Sequence, residues 1–204
     1  MYEAGAAVPA QVGITIFDKL EVGSQEAPTG WRHCSAVVPD WLLAKLKPRQ
    51  QQIGPLETLG GLCAVLSRPQ QFEDREVIQF IDNTQALFTL ASGSARQVDC
   101  ARLVHYFQCL CAALRAQVWF EFVASGANIA DQPSRGEFDL LDELGSTPFP
   151  IRWPDMDASW AGVFDATFRE FAPRPSKAEK RARSAVASEI DDERARARRA
   201  RISP

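Results

Sequence analysis

The sequence predicts an α/β fold in which a mixed sheet carries helices on its faces. Three features lead there. Two strand-like segments come first and are close enough in sequence to pair antiparallel. Segments with the apolar spacing of helices follow, and between them lie short runs rich in β-branched and aromatic residues.

The first strand is Gln11-Val12-Gly13-Ile14-Thr15-Ile16-Phe17. Turn residues over 21–30, ending in Pro28-Thr29-Gly30, lead to the second strand over 31–38. Residues 39–46 are expected to form a short helix or an irregular connection. Over 55–67, Leu56, Leu59, Cys63 and Leu66 recur on one helical stripe, and Pro55 suits the first turn. Val77-Ile78-Gln79-Phe80-Ile81 is a nearly continuous apolar run, as expected for a central strand buried on both faces. A short helix over 85–90 ends at Ser92-Gly93-Ser94. A longer one over 99–114 places Leu103, Phe107, Leu110 and Leu114 on one side. A strand over 118–123 and a turn at Ser125-Gly126 then lead into residues 128–134.

Past residue 143 the character changes. Pro148, Pro150 and Pro154 make a stiff connector, and 157–171 is expected to be a helix with Trp160, Phe164, Phe168 and Phe171 on one stripe. That stripe either packs back on the body or receives a partner. From residue 173 large apolar residues almost vanish. Such a segment buries too little surface to offset its ordering entropy and is expected to be disordered or an isolated helix. The organisation is therefore a sheet-and-helix domain over 1–142, a Pro-rich connector with an amphipathic helix over 143–172, and a basic tail over 173–204.

Charge follows the same division. The tail has ten Lys/Arg and five Asp/Glu, a net +5, whereas residues 1–172 have 13 basic and 21 acidic residues, a net −8. A basic tail on an acidic body points to a polyanionic partner, with a solvated charge run as the alternative. No apolar run reaches the length of a membrane span, and Met1-Tyr2-Glu3-Ala4-Gly5 lacks the start of a signal peptide, so an intracellular chain, cytoplasmic or nuclear, is expected. The five cysteines, Cys34, Cys63, Cys100, Cys109 and Cys111, are odd in number and lack CxxC spacing, which argues for structural roles.

Three carboxylates are the candidate site. Glu57 lies in the first turn of the first long helix, Asp82 ends the run 77–81, and Asp131 follows the last strand and turn. Ends of parallel strands are where open α/β sheets hold their sites. Each residue also has a purely structural reading. Glu57 would favour the helix macrodipole, and Asp82 and Asp131 would cap helices.

The runs Gln51-Gln52-Ile53-Gly54-Pro55-Leu56-Glu57, Phe80-Ile81-Asp82-Asn83-Thr84-Gln85-Ala86-Leu87 and Asn128-Ile129-Ala130-Asp131-Gln132-Pro133-Ser134-Arg135, in this order, resemble the ribonuclease H domain that follows reverse transcriptase in retrotransposon polyproteins. The resemblance covers residues 5–140 and not the tail. It implies a ribonuclease H-like mixed sheet of five strands flanked by helices, and a site of four carboxylates that hold two Mg²⁺ or Mn²⁺ ions. Two such ions, about 4 Å apart, activate water and steady the leaving oxygen in phosphodiester hydrolysis. Glu57, Asp82 and Asp131 match the second, third and fourth carboxylates. The first belongs to a strand that in relatives runs into a loop like Tyr2-Glu3-Ala4-Gly5, so the resemblance implies a domain truncated at its N-terminus, without its central strand or first aspartate. Glu3 and Asp18 are the available substitutes.

The expected function is that of a hybrid endoribonuclease domain, normally fused to reverse transcriptase, with little or no activity in this chain. RNA·DNA hybrid or another nucleic acid is the expected partner, engaged through Arg194, Arg196, Arg198, Arg199 and Arg201. The alternative is a non-catalytic remnant that binds nucleic acid or a protein through that Arg-rich tail. A third reading, another nuclease or transposase of the superfamily, shares the carboxylates but not the block 128–135. Many relatives have a histidine in the loop before the fourth carboxylate; this loop is Ala124-Ser125-Gly126-Ala127, and His33 and His105 are expected to be structural.

Overall fold

The computed structural model describes residues 9–172, and the tail with its arginines, like Glu3, lies outside them. The described residues form a mixed α/β fold. In chain order the elements are β1 (Gln11–Phe17), β2 (Trp31–Val37), α1 (Asp40–Leu43), α2 (Ile53–Ser67), β3 (Glu76–Ile81), α3 (Thr84–Ser92), α4 (Val98–Leu114), β4 (Gln117–Phe122), α5 (Asp131–Ser134), α6 (Asp139–Glu143), β5 (Thr147–Pro148) and α7 (Trp160–Phe171).

The strands form two sheets rather than one. β1 and β2 pair antiparallel, with Gln11 opposite Val37 and Phe17 opposite Trp31. The two-residue β5 adds to β2 in parallel. β3 and β4 pair in parallel, with Glu76 beside Gln117 and Ile81 beside Phe122. Among the described residues, β1 and β3 each have one hydrogen-bonded neighbour, so each keeps an open edge.

One core serves both sheets. Val12, Ile14 and Cys34 from the hairpin, Leu59, Leu62, Cys63 and Leu66 from α2, and Leu103, Phe107 and Leu110 from α4 are buried together, and Val118 and Phe120 of β4 pack against them. Helix α2 touches both sheets through adjacent small residues. A Cβ on Gly60 would lie 3.4 Å from Val12 of β1, and one on Gly61 would lie 2.6 Å from the amide of Gln79 of β3. Two consecutive glycines let the helix sit close to both.

The strand β3 is not buried on both faces. Its exposure alternates, and Ile78 and Phe80 are each 60% exposed, as is Trp119 of β4 at 63%. The inner face of the β3–β4 pair meets α2 and α4, but no described element covers the outer one. The hairpin differs: α5 lies on its outer face, where a Cβ on Gly13 would meet the carbonyl oxygen of Ala130.

Residues 143–172 return to the body through β5 and through α7, which packs on α4. Ser159 caps α7 by accepting from the Gly162 amide at 3.0 Å. The buried residues of α7 are Val163 and Thr167, whereas Trp160 and Phe164 of the expected aromatic stripe stay 42% and 48% exposed. The helix is thus turned about one residue from the aromatic stripe. Trp160 still meets α4 at its edge, 5.0 Å from the His105 ring. No helix among the described residues is long and apolar enough to cross a membrane. All five cysteines are free, four of them buried.

Candidate functional site

Each of the three carboxylates is placed by a different element. Helix α2 begins at Ile53, earlier than the position of Pro55 predicts, so Glu57 falls in its second turn, with no acidic residue in the first. The macrodipole reading of Glu57 is therefore corrected, because that effect fades beyond the first turn. Asp82 follows the last residue of β3, but it does not cap α3. Asn83 does so, its side chain accepting from the Ala86 amide at 3.0 Å. Asp131 opens α5 without capping it, since Ala130 holds the cap position with no side-chain bond. None of the three performs the structural task that the sequence offers for it.

What links them is charge. Burial pushes the Glu57 carboxyl up to about 7, and the negative charges of Asp82 and then Asp131 add to the rise. Burial also raises Asp131, with Arg135 opposing and Asp82 reinforcing it. Residues 57, 82 and 131, far apart in the chain, thus share one electrostatic site. Its members come from α2, the C-terminal end of β3 and the start of α5.

Gly13 fixes the third of these. A Cβ there would come within 2.3 Å of the Ala130 carbonyl oxygen and 2.5 Å of the Ser134 amide nitrogen. Only glycine lets α5 rest on the strand, where the Pro133 carbonyl accepts from Ser35 Oγ at 2.6 Å and from Gln11 Nε2 at 3.3 Å. On α2, the Gln85 amide occupies the space beside Gly54, 2.8 Å from where a Cβ would stand.

Arg135 is the site residue that the carboxylate pattern misses. It donates to Asp131 at 2.6 Å across one helical turn. The signal was the i, i+4 spacing inside the block 128–135. With Arg135 60% exposed, the pair contributes little stability. Arg135→Ala is expected to change stability by less than about 1 kcal/mol while raising the Asp131 pKa, as read by carbon-detected titration of the carboxyl groups. An unchanged Asp131 titration would contradict the contact.

The donor chemistry suits a hard divalent cation, since such ions prefer carboxylate oxygens. The spacing does not. Among the described residues no three acidic, histidine or cysteine side chains lie close enough to share an ion. Of the substitutes named above, Asp18 is committed elsewhere, being buried, bonded to the Leu20 amide and paired with Arg75. The histidines are also engaged in packing: His33 Nδ1 lies 3.0 Å from Ser146 Oγ, and His105 Nε2 lies 2.9 Å from the Trp160 carbonyl.

Compared with protein-family models, with curated proteins and with solved structures, the chain matches none.

Proposed function

We propose that this chain is a ribonuclease H-like domain, by resemblance an endonuclease of RNA·DNA hybrids, whose described residues supply three of the four carboxylates that the resemblance implies. The observation that carries the reading is the electrostatic coupling of Glu57 to Asp82 and Asp131. Burial, reinforced by the charges of Asp82 and Asp131, raises the Glu57 carboxyl to about 7. A partly buried carboxyl raised toward neutral pH beside two further acids, none of which caps a helix, favours a functional role over a folding one.

The open edges of β1 and β3 support the same reading. Both strands rest on α2, and each lacks a partner on one side among the described residues. Unpaired backbone donors and acceptors at a core strand call for a further strand. A strand inserted there would join the two sheets into one and would end beside Asp82, where a fourth carboxylate would complete the set. Mg²⁺ or Mn²⁺ would then be the cofactor, supplying activation of water. The chain's own part is to hold the three acids and to keep Asp131 in place through α5. The Arg-rich segment 194–201 would add attraction for the phosphate backbone that the acidic body lacks.

The test is hydrolysis of a labelled RNA·DNA hybrid by the purified chain in Mg²⁺ and in Mn²⁺. Cleavage at background level is expected. Cleavage that Asp82→Asn abolishes would contradict incompleteness while keeping the nuclease.

A further inference from the structure

The outer face of the β3–β4 pair carries a second surface, separate from the carboxylates. Its outward positions are Glu76, Ile78 and Phe80 on β3 and Gln117, Trp119 and Glu121 on β4, all exposed. Ile78 stands beside Trp119 and Phe80 beside Glu121. The centre is thus a contiguous apolar cluster of Ile78, Phe80 and Trp119, each at least 60% exposed. A carboxylate stands at either end, and no basic residue is among the six.

Large apolar side chains grouped in this way mark an interaction surface, and an exposed tryptophan at the centre is the usual anchor of one. The charges narrow the occupant. Nucleic acid and anionic lipid are repelled by Glu76 and Glu121. A second copy of the same face would bring acid against acid, with no base to meet either. The two carboxylates are four registers apart, about 13 Å at the rise of a strand. A helix covers that span in roughly nine residues.

We propose that this face docks an amphipathic helix of a partner protein, its apolar ridge on Ile78, Phe80 and Trp119 and its Lys or Arg residues about nine positions apart over Glu76 and Glu121. This surface is independent of the carboxylate site, so the two proposals stand or fall separately. The helix covers the half of the outer surface that α5 leaves bare.

The experiment uses the full chain and three fluorescein-labelled helical peptides of eighteen residues, read by anisotropy. One has a leucine ridge with lysines nine apart, one has the same ridge with glutamates, and one has the lysines on an alanine ridge. The lysine–leucine peptide is expected to bind saturably in the micromolar range. The other two should bind at least tenfold more weakly, and raised salt should weaken the first. Trp119→Ser should reduce its binding tenfold or more with an unchanged circular dichroism spectrum; Ile78→Ser serves as a second variant if that one loses its fold. No saturable binding, equal binding of the three peptides, or binding indifferent to both variants overturns the proposal. So does a dimer in sedimentation that Trp119→Ser dissolves, which assigns the face to a second copy.

Discussion

Glu57→Gln is expected to stabilise the protein at pH 8. In the native chain the Glu57 carboxyl titrates at about 7 rather than near its ordinary 4.5, first because it is buried and then because Asp82 and Asp131 stand near it. The folded state therefore holds a proton that the unfolded state releases between these values. The stability linked to this proton is fully present below about pH 4.5 and is lost as pH rises to about 7. At 1.36 kcal/mol per unit the shift corresponds to roughly 3 kcal/mol, and the partial exposure of Glu57 trims the observable effect to about 1–2 kcal/mol. Glutamine has the same shape and no charge. Urea unfolding of the two proteins should coincide near pH 4.5 and diverge up to pH 8, with the variant the more stable. Equal stability at pH 8 would mean that the Glu57 carboxyl is not raised in the folded protein.

The opposite effect is expected of Gly13→Ala. Its new Cβ meets the carbonyl oxygen of Ala130, just before α5, at 2.3 Å and the amide nitrogen of Ser134 within it at 2.5 Å, and backbone cannot rotate away as a side chain can. The helix must lift, losing the hydrogen bonds that the Pro133 carbonyl accepts from Gln11 and Ser35. Overpacking of this kind, together with those bonds, costs about 2–3 kcal/mol, or roughly 5–10 °C in melting temperature for a domain of this size. Since α5 begins with Asp131, the lift also withdraws one of the charges that raise Glu57, so the Glu57 pKa should fall in the same variant. A melting temperature within a degree of the native value would show that α5 does not rest on β1.

Much of this arrangement is legible in the sequence because it is periodic. The alternation of Val12 and Ile14 with smaller or polar neighbours, and the helical spacing of Leu59, Cys63 and Leu66, follow from facing one core. Burial of the opposite face is not legible in that way. Ile78 and Phe80 make β3 read as a strand covered on both sides, yet whether a sheet face is covered depends on elements elsewhere in the chain. In α7 the aromatic residues define the most apolar stripe, but Val163 and Thr167 are smaller and let the helix come closer to α4.

The carboxylates show the same division. Their identity is read from local motifs, and those motifs also suggest caps. Only the structure shows that Asn83 takes the cap that Asp82 was offered, and that Arg135 holds Asp131. The division into two sheets is a matter of backbone pairing, which no single residue records.

The most direct test adds the strand that the proposed function calls for. An extended segment of about six residues ending in aspartate, fused through a flexible linker to the full chain, is assayed on an RNA·DNA hybrid with Mg²⁺, beside the same fusion ending in asparagine. The account predicts cleavage of the RNA strand by the aspartate fusion alone, its loss on Asp82→Asn, and slowed hydrogen exchange along the open edges of β1 and β3. Protection of both edges without any cleavage would contradict a nuclease site at Glu57, Asp82 and Asp131.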